Sequence, residues 1–395
     1  MAGTPTTAAG VIAYAVTVTS CAKRELVMDG ASVLKHSIHL NSFRAKKSRY
    51  DYEMIVFIHE NATECVDIFS FLNYTVHIKP VPFPVESVRG GFQKWVRRAG
   101  CCGEKEWLKL YSYTLHQYPV VVHMDLDCLV LKPLDALFDA MILPQSSGRE
   151  RISIMWNTIE LPNPIDAFFT RDYGMIGVPG RKMPHQIGIQ GGFLVVRPNQ
   201  TVFEEYISII LEGNYTESSG WGGHQLGYGG YYGAGTIQGL AAYYYGHLHP
   251  EHSVELNRCI YNNMVDSPYP KPKNVGGSDE KTCLTMEREC DDCRETSIDD
   301  IVTIHLTNCL KPWKCAVNRH LPSLCLRHHY EWYRIRSLVE AQWRGKDAVP
   351  LKKFEEIELS SISDISLGYC QRKSGKGIVY QPINFQHNMN KTLTS

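Results

Sequence analysis

The stretch VVVHMDLDCLVLKP, from Val120 to Pro133, is apolar or β-branched almost throughout, yet Asp125 and Asp127 interrupt it one residue apart. Such a run reads as a buried strand of an α/β sheet, where two carboxylates are costly unless something cancels their charge. In an extended chain, side chains two residues apart point to the same face. Open α/β sheets bind ligands at the carboxyl ends of their strands, and two carboxylates there suit a hard divalent cation. Taken alone, the pattern also fits one Asp capping the turn into KPLDALF while the other faces solvent.

Working outward, VIAYAVTVTS (Val11 to Ser20) is strand-like, and a helix is expected from about Asp29 to Phe43, with Asp29-Gly30 as its start. YEMIVFIHE and YTVHIKPV read as two further strands, so strand and helix alternate as in a parallel sheet covered on both faces. EKEWLKLYSYTLHQY (Glu104 to Tyr118) predicts an amphipathic helix with Trp107, Leu110, Tyr111, Thr114 and Leu115 on one side, broken at Pro119. LDALFDAMI reads as a helix, residues 151–186 as a proline-containing loop region, and IQGGFLVVRP as a strand. TVFEEYISIILEG predicts a helix with Thr201 as its N-cap. The Gly- and Tyr-rich tract 220–246 is expected to form a mobile wall that stacks on ligands such as sugar rings. IVTIHLTN is the last strand expected before a helix from about Leu326 to Trp343. The resulting division is one α/β domain over 11–345, with a Cys-rich insertion at about 278–300, and a polar extension over 346–395.

The 395 residues hold 41 Lys+Arg and 41 Asp+Glu, a balance that argues against a chain built to hold nucleic acid. No run of about 20 apolar residues is present, so no membrane span is expected, and the N-terminal segment does not read as a signal peptide. Thirteen cysteines, six of them between Cys283 and Cys325, and sequons at Asn61, Asn73, Asn199, Asn214 and Asn390 favour an oxidising, glycosylating compartment such as the ER or Golgi lumen, with the cytoplasm as the alternative. A zinc site on Cys290 and Cys293 is a weaker reading, since no second pair follows at suitable spacing.

Far downstream, His305 lies at the end of a predicted strand, six residues before Lys311-Pro312-Trp313. A neutral imidazole can complete a ligand set with two carboxylates, and Lys311 can set its ammonium on a phosphate that the metal also touches. The plainer readings are a core histidine bonded to a carbonyl and a solvated lysine before a turn.

WLKLYSYTLHQYPVVVHMDLDCLVLKPLDALFD, IQGGFLVVRPN and HLTNCLKPWK together resemble glycosyltransferase family 8, the glycogenin-like group, over roughly Val11 to Lys314. Within it, GCCGEKEWLKLYSYTL is similar to plant and algal members of the secretory pathway. The resemblance implies a GT-A (Rossmann-like) fold, with a mixed, mostly parallel central sheet flanked by helices in a single catalytic domain. It implies a retaining transferase that takes a hexosyl or related group from a UDP-sugar to a glycan, glycolipid or polyol acceptor. Mn²⁺ (or Mg²⁺) would be held by Asp125, Asp127 and His305, and the diphosphate by Lys311. Lys109 would contact the donor sugar, and Thr17, Val18 and Thr19 would line the uracil pocket, with Leu126 and Asn308 also at the donor. Gln190 and Gln238 stand at the family's sugar-contacting positions.

Departures from the family pattern bear on mechanism. Gln190-Gly191-Gly192 replaces the common Asn-Ser-Gly, and Ile237-Gln238-Gly239 replaces Asp-Gln-Gly. The missing carboxylate at Ile237 removes a covalent double displacement through that position and favours a front-face route. The same loss motivates an alternative, a degenerate nucleotide-sugar or glycan-binding module. A self-glucosylating primer and a nucleotide-sugar hydrolase are further readings.

Overall fold

The computed structural model describes residues 7–143, 152, 154, 161–176, 182–270, 282–316, 320–345, 354, 357, 362–374 and 377–385. Its strands are β1 (Val11–Val18), β2 (Asp51–His59), β3 (Thr75–Lys79), β4 (Val121–Met124), β5 (Cys128–Val130), β6 (Ala167–Arg171), β7 (Ile189–Val196), β8 (Tyr215–Thr216), β9 (Gly220–Trp221), β10 (Ser253–Glu255), β11 (Thr303–His305), β12 (Cys370–Lys373) and β13 (Gly377–Tyr380). The helices are α1 (Arg24–Leu40), α2 (Val66–Phe71), α3 (Asp135–Ile142), α4 (Gln200–Glu212), α5 (Ile237–Tyr243), α6 (Ser323–Arg344) and α7 (Ile362–Ile365).

Seven strands form the central sheet in the order β10-β6-β7-β4-β1-β2-β3. Only β7 runs antiparallel to its neighbours, β4 and β6; the other pairs are parallel. The alternation of strands and helices pointed to a parallel sheet; the observed sheet is the mixed, mostly parallel one that the resemblance implied, with β7 as its antiparallel member. Its inner strands β1, β4 and β7 are buried almost throughout because both faces are covered, whereas the edge strands β3 and β10 are only partly so. On β1, Ile12, Tyr14 and Val16 pack with α1 and α3, while Ala13 and Ala15 face Trp107, Leu110 and the α4–α5 side.

Several elements depart from expectation for identifiable reasons. Helix α1 begins at Arg24, five residues before Asp29, which lies buried inside it. The Asp29 carboxylate caps no helix: it accepts from the Tyr380 hydroxyl (2.5 Å) and the Ile383 amide (3.1 Å). Residues Gly103–Thr114 form a 3₁₀ rather than an α-helix. Trp107, Leu110 and Tyr113 turn inward at its period of three, whereas Tyr111 and Thr114 are only half-buried. Strand β6 lies within the stretch read as loop, much of which falls outside the described residues. Asn199, not Thr201, caps α4, its side-chain oxygen accepting from the amides of Thr201 (2.9 Å) and Val202 (3.4 Å).

The Gly- and Tyr-rich tract is mostly core. Trp221, Tyr228, Tyr244 and Tyr245 are buried, and only Tyr232 is strongly exposed, at 66%. Strand β11 does not join the main sheet; it pairs antiparallel with β5.

Five disulfides join Cys21–Cys65, Cys259–Cys293, Cys283–Cys290, Cys309–Cys325 and Cys315–Cys370. They suit a chain folded under oxidising conditions, and they correct the zinc reading, because Cys290 and Cys293 each have another partner. The start of the Cys-rich insertion and residues 386–395 lie outside the described residues. Within the stretch read as a polar extension, the β12–β13 hairpin is tied to the body by Cys315–Cys370 and by Tyr380 on Asp29. Among the described residues, no helix is long and apolar enough to cross a membrane.

Candidate active site

The two carboxylates lie just past the carboxyl end of β4, in the turn leading into β5. The Asp125 amide donates to the Gly192 carbonyl on β7 (3.1 Å), and the Asp127 carbonyl accepts from the Leu306 amide after β11 (3.0 Å). The turn is thus pinned on one side by the strand carrying Gly192 and on the other by the strand carrying His305. Behind it, a Cβ on Gly30 of α1 would come within 3.2 Å of the Leu126 carbonyl oxygen, so a glycine there lets the helix approach the turn.

One ligand atom from each of Asp125, Asp127 and His305 lies within 4.8 Å of the others. His305 Nε2 is 3.5 Å from Asp127 Oδ2, and the Lys311 ammonium contacts the same oxygen. His305 Nδ1 is buried and has no hydrogen-bond partner in the structure. A Cβ on Gly192 would lie 2.9 Å from Asp125 Oδ2 and 2.4 Å from His305 Cε1. The bare glycine therefore leaves the hollow in which the carboxylate and the imidazole meet. An orphaned imidazole nitrogen, two carboxylates and a hollow at a glycine together fit a divalent cation of the Mn²⁺ or Mg²⁺ kind.

The electrostatics agree. Burial alone would raise the Asp127 carboxyl, but His305 and Lys311 outweigh it and hold it well below the usual carboxylate range. Asp125 is likewise pulled down against its burial by Lys109 and His305. Lys109 Nζ donates to Asp125 Oδ1 (2.9 Å) and the Gly191 carbonyl (3.0 Å), and the nearby carboxylates raise its ammonium against the cost of burial.

Lys311 sits on a loop that is unusually well fixed. Disulfides at Cys309 and Cys315 bracket it, His329 of α6 bonds the Cys309 carbonyl (2.7 Å), and the Tyr333 hydroxyl donates to the Pro312 carbonyl (2.7 Å). Leu310 and Cys315 both adopt positive φ to turn the chain there.

Gln190 opens β7 beside this centre. Its Oε1 accepts from the Gly192 amide (3.1 Å), and its Nε2 lies 3.4 Å from Asp172 Oδ2. Burial, reinforced by Asp266, pushes the Asp172 carboxyl up to about 6. Asp172 was not among the residues singled out from sequence. The available signal was its place just after the short stretch AFFTR, mostly aromatic or aliphatic, as Asp125 follows VVVHM. Since β6 runs parallel to β4, both carboxylates emerge at the same edge of the sheet, where β7, antiparallel, begins.

Gln238 lies at the start of α5, where a Cβ on Gly191 would come within 3.2 Å of its Cγ and 3.7 Å of Lys109 Nζ. Ile237 is turned into the core. Thr17 Oγ1 lies 3.4 Å from Nε2 of buried His123, and the Val18 side chain packs in the core, opposite Ile58 of β2. Thr19, half-buried, follows the end of β1 and donates to Cys102. Asn308 is exposed in the turn between His305 and Lys311.

No family model matches the chain, and no curated protein matches it in sequence. Solved structures that are similar include the bifunctional glycosyltransferase WbbM, at TM-score 0.43 and 13% identity over 85% of this chain and 51% of that one. Mouse xyloside xylosyltransferase 1 aligns at TM-score 0.41 and 12% identity, over 75% of this chain and 97% of that one. The galactosyltransferase LgtC, solved with donor and acceptor sugar analogues, aligns at TM-score 0.40 and 12% identity, over 85% of this chain and 100% of that one. The chain spans about half the length of WbbM.

Proposed function

We propose that this protein is a retaining glycosyltransferase of the GT-A type that takes its sugar from a UDP-linked donor and works with Mn²⁺ or Mg²⁺. The observation that carries the reading is the convergence of Asp125, Asp127 and the orphaned imidazole of His305, with Lys311 beside them, at the carboxyl edge of the sheet.

Asp125, Asp127 and His305 would hold the cation, which when bound neutralises the charge that develops on the diphosphate leaving group. Lys311 exchanges its contact with Asp127 for a phosphate oxygen and adds a point charge there. Its disulfide-bracketed loop keeps that ammonium in place at little entropic cost. Lys109, held by Asp125 and the Gly191 carbonyl, reaches the same space from the 3₁₀ segment and orients the donor sugar. Gln190 and Gln238 offer amide hydrogen bonds to sugar hydroxyls. Asp172 accepts from Gln190 and, as a carboxyl titrating at about 6, can also accept from a donor hydroxyl near neutral pH.

With Ile237 in the core and amides at Gln190 and Gln238, retention is best served by attack from the face the diphosphate leaves. The departing phosphate oxygen then takes the acceptor proton. The acceptor is a glycan, glycolipid or polyol hydroxyl.

The test is release of UDP from a panel of UDP-sugars with Mn²⁺, in wild type and Asp125→Ala. Loss of the carboxylate should lower turnover by at least about a hundredfold, several kcal/mol of transition-state stabilisation. Turnover that survives the substitution, or that is indifferent to chelation of the metal, refutes the assignment.

A further inference from the structure

Ten of the thirteen cysteines are paired, and Cys128 is a buried thiol; the remaining two are neighbours in sequence. Cys101 is exposed and Cys102 half-buried, in the turn Gly100-Cys101-Cys102-Gly103. Both glycines have positive φ, 63° and 59°. A Cβ on Gly100 would meet Thr236 Cγ2 at 2.6 Å, and one on Gly103 would meet the Arg97 carbonyl oxygen at 2.5 Å. The turn is therefore packed against Thr236 and folded back on Arg97 just before it, and it brings the two sulfurs into contact.

Two sulfurs in contact can close to a disulfide, which sets them at about 2.05 Å. With Glu106 they also offer three ligand atoms within 4.8 Å of one another, for which Zn²⁺ would compete.

We propose that Cys101 and Cys102 are a reversible redox pair that closes to a vicinal disulfide, and that the state of this pair sets the affinity of the neighbouring nucleotide site. The oxidant is a low-molecular-weight disulfide of the glutathione class. The Cys102 thiolate attacks one sulfur of that disulfide and expels one thiolate. Cys101 then attacks the Cys102 sulfur of the mixed disulfide and expels the second. Two protein thiols lose two electrons and two protons, and the external disulfide becomes two thiols.

The surroundings suit each step. Thr19 Oγ1 donates to Cys102 Sγ at 3.5 Å, and Glu106 Oε1 lies 2.9 Å from Cys101 Sγ, where it can take the second proton. Contact with the Cys101 sulfur brings the Cys102 thiol down to about 7, favouring the form that attacks. Adjacent residues across a trans peptide have Cα atoms about 3.8 Å apart, short of the roughly 4.4–6.8 Å of an ordinary disulfide, so the closed form is strained and easily reduced. That sets it apart from the five structural disulfides.

The link to the nucleotide site rests on the proposed function. Thr19 follows the end of β1, beside the expected uracil pocket. Glu106 lies 4.0 Å from Lys109 Nζ, which holds Asp125. Closing the disulfide removes the thiol proton from Glu106 and the sulfur acceptor from Thr19, so both groups are re-aimed.

In the test, the full chain is treated with oxidised glutathione, alkylated without reduction and digested for mass spectrometry. The peptide carrying residues 101–102 should be unalkylated and lighter by two hydrogen atoms. After a mild monothiol it should carry two alkyl groups while the five other disulfides stay closed. Two alkyl groups after the oxidant, persistent glutathione adducts, or protection that appears only with added Zn²⁺ would each overturn the redox pair. Calorimetry with UDP and Mn²⁺ then compares the two states, where a change in affinity of about fivefold or more is expected, absent in Cys101→Ser. Equal affinities overturn the coupling and leave the pair standing. No UDP binding in either state overturns the nucleotide-site reading, and the coupling with it, while the mass-spectrometric result stands on its own.

Discussion

Gly192 and His305, 113 residues apart in sequence, sit so close that a single added carbon on Gly192 would fall 2.4 Å from the imidazole Cε1. The same carbon would lie 2.9 Å from Asp125 Oδ2. Three segments that share no local sequence thus meet around one missing side chain, and the meeting point is where the cation is proposed to bind. Gly192→Ala should therefore cost at least about tenfold in Mn²⁺ affinity through displaced ligands, with the fold kept, because the strain is borne at the site. Titration calorimetry with Mn²⁺, beside a circular dichroism melt, checks both halves.

Asp172 predicts a pH signature. Its folded-state pKa, about 6, lies above its unfolded value of about 4, so the folded protein holds the proton more tightly. Stability should fall as pH rises through that window and stay lower above it. Asp172→Asn removes this loss. Relative to wild type, the variant should gain roughly 1–3 kcal/mol between pH 4 and neutral pH, measured by urea unfolding across the range.

The loop carrying Lys311 supplies a separable prediction. Lys311→Ala should weaken UDP binding by about tenfold or more through the lost charge, with Lys311→Arg recovering part of it. Cys315→Ser leaves the ammonium intact but frees one end of its loop. It should weaken UDP binding less than Lys311→Ala does, yet lower the melting temperature more, since Lys311→Ala removes only the partner of Asp127 whereas Cys315→Ser opens a 55-residue loop.

Arg336 tests how the C-terminal hairpin is held. Its guanidinium, 1% exposed, donates to the Tyr380 hydroxyl (2.8 Å) and the Gln381 carbonyl (2.7 Å) and lies 3.8 Å from Asp29. Arg336→Met leaves Asp29 buried without its cation and should cost about 3–5 kcal/mol. Adding Asp29→Asn should recover part of that, since the stranded charge is gone. A double-mutant cycle by denaturant unfolding gives the answer.

Much of the fold was legible because strands buried on both faces announce themselves as apolar runs: β1, β4 and β7 lie within the stretches read as strands, and β2 begins one residue before its stretch. The carboxylates stood out because they broke such a run, and His305 and Lys311 because they followed another. What stayed hidden depends on strand order rather than local pattern. Asp172 reaches the site because β6 and β4 flank the antiparallel β7, and Gly192 matters only because His305 arrives from a strand outside the main sheet. The 3₁₀ segment reads as an α-helix because Trp107, Leu110, Tyr111, Thr114 and Leu115 follow a period of 3.6, whereas the buried Trp107, Leu110 and Tyr113 follow one of three. The tyrosines of the 220–246 tract read as a ligand wall because glycine richness suggested exposure, whereas Tyr228, Tyr244 and Tyr245 pack into the same core as Trp221.

Asp125, Asp127 and His305 are proposed to hold a divalent cation beside a nucleotide diphosphate and Lys311, and anomalous diffraction from crystals grown with Mn²⁺ and UDP reads that arrangement out. One manganese peak is expected, bonded to those three side chains, with phosphate oxygens completing its shell and the Lys311 ammonium on a phosphate instead of on Asp127. A peak elsewhere, or UDP bound with no manganese between it and the carboxylates, refutes it.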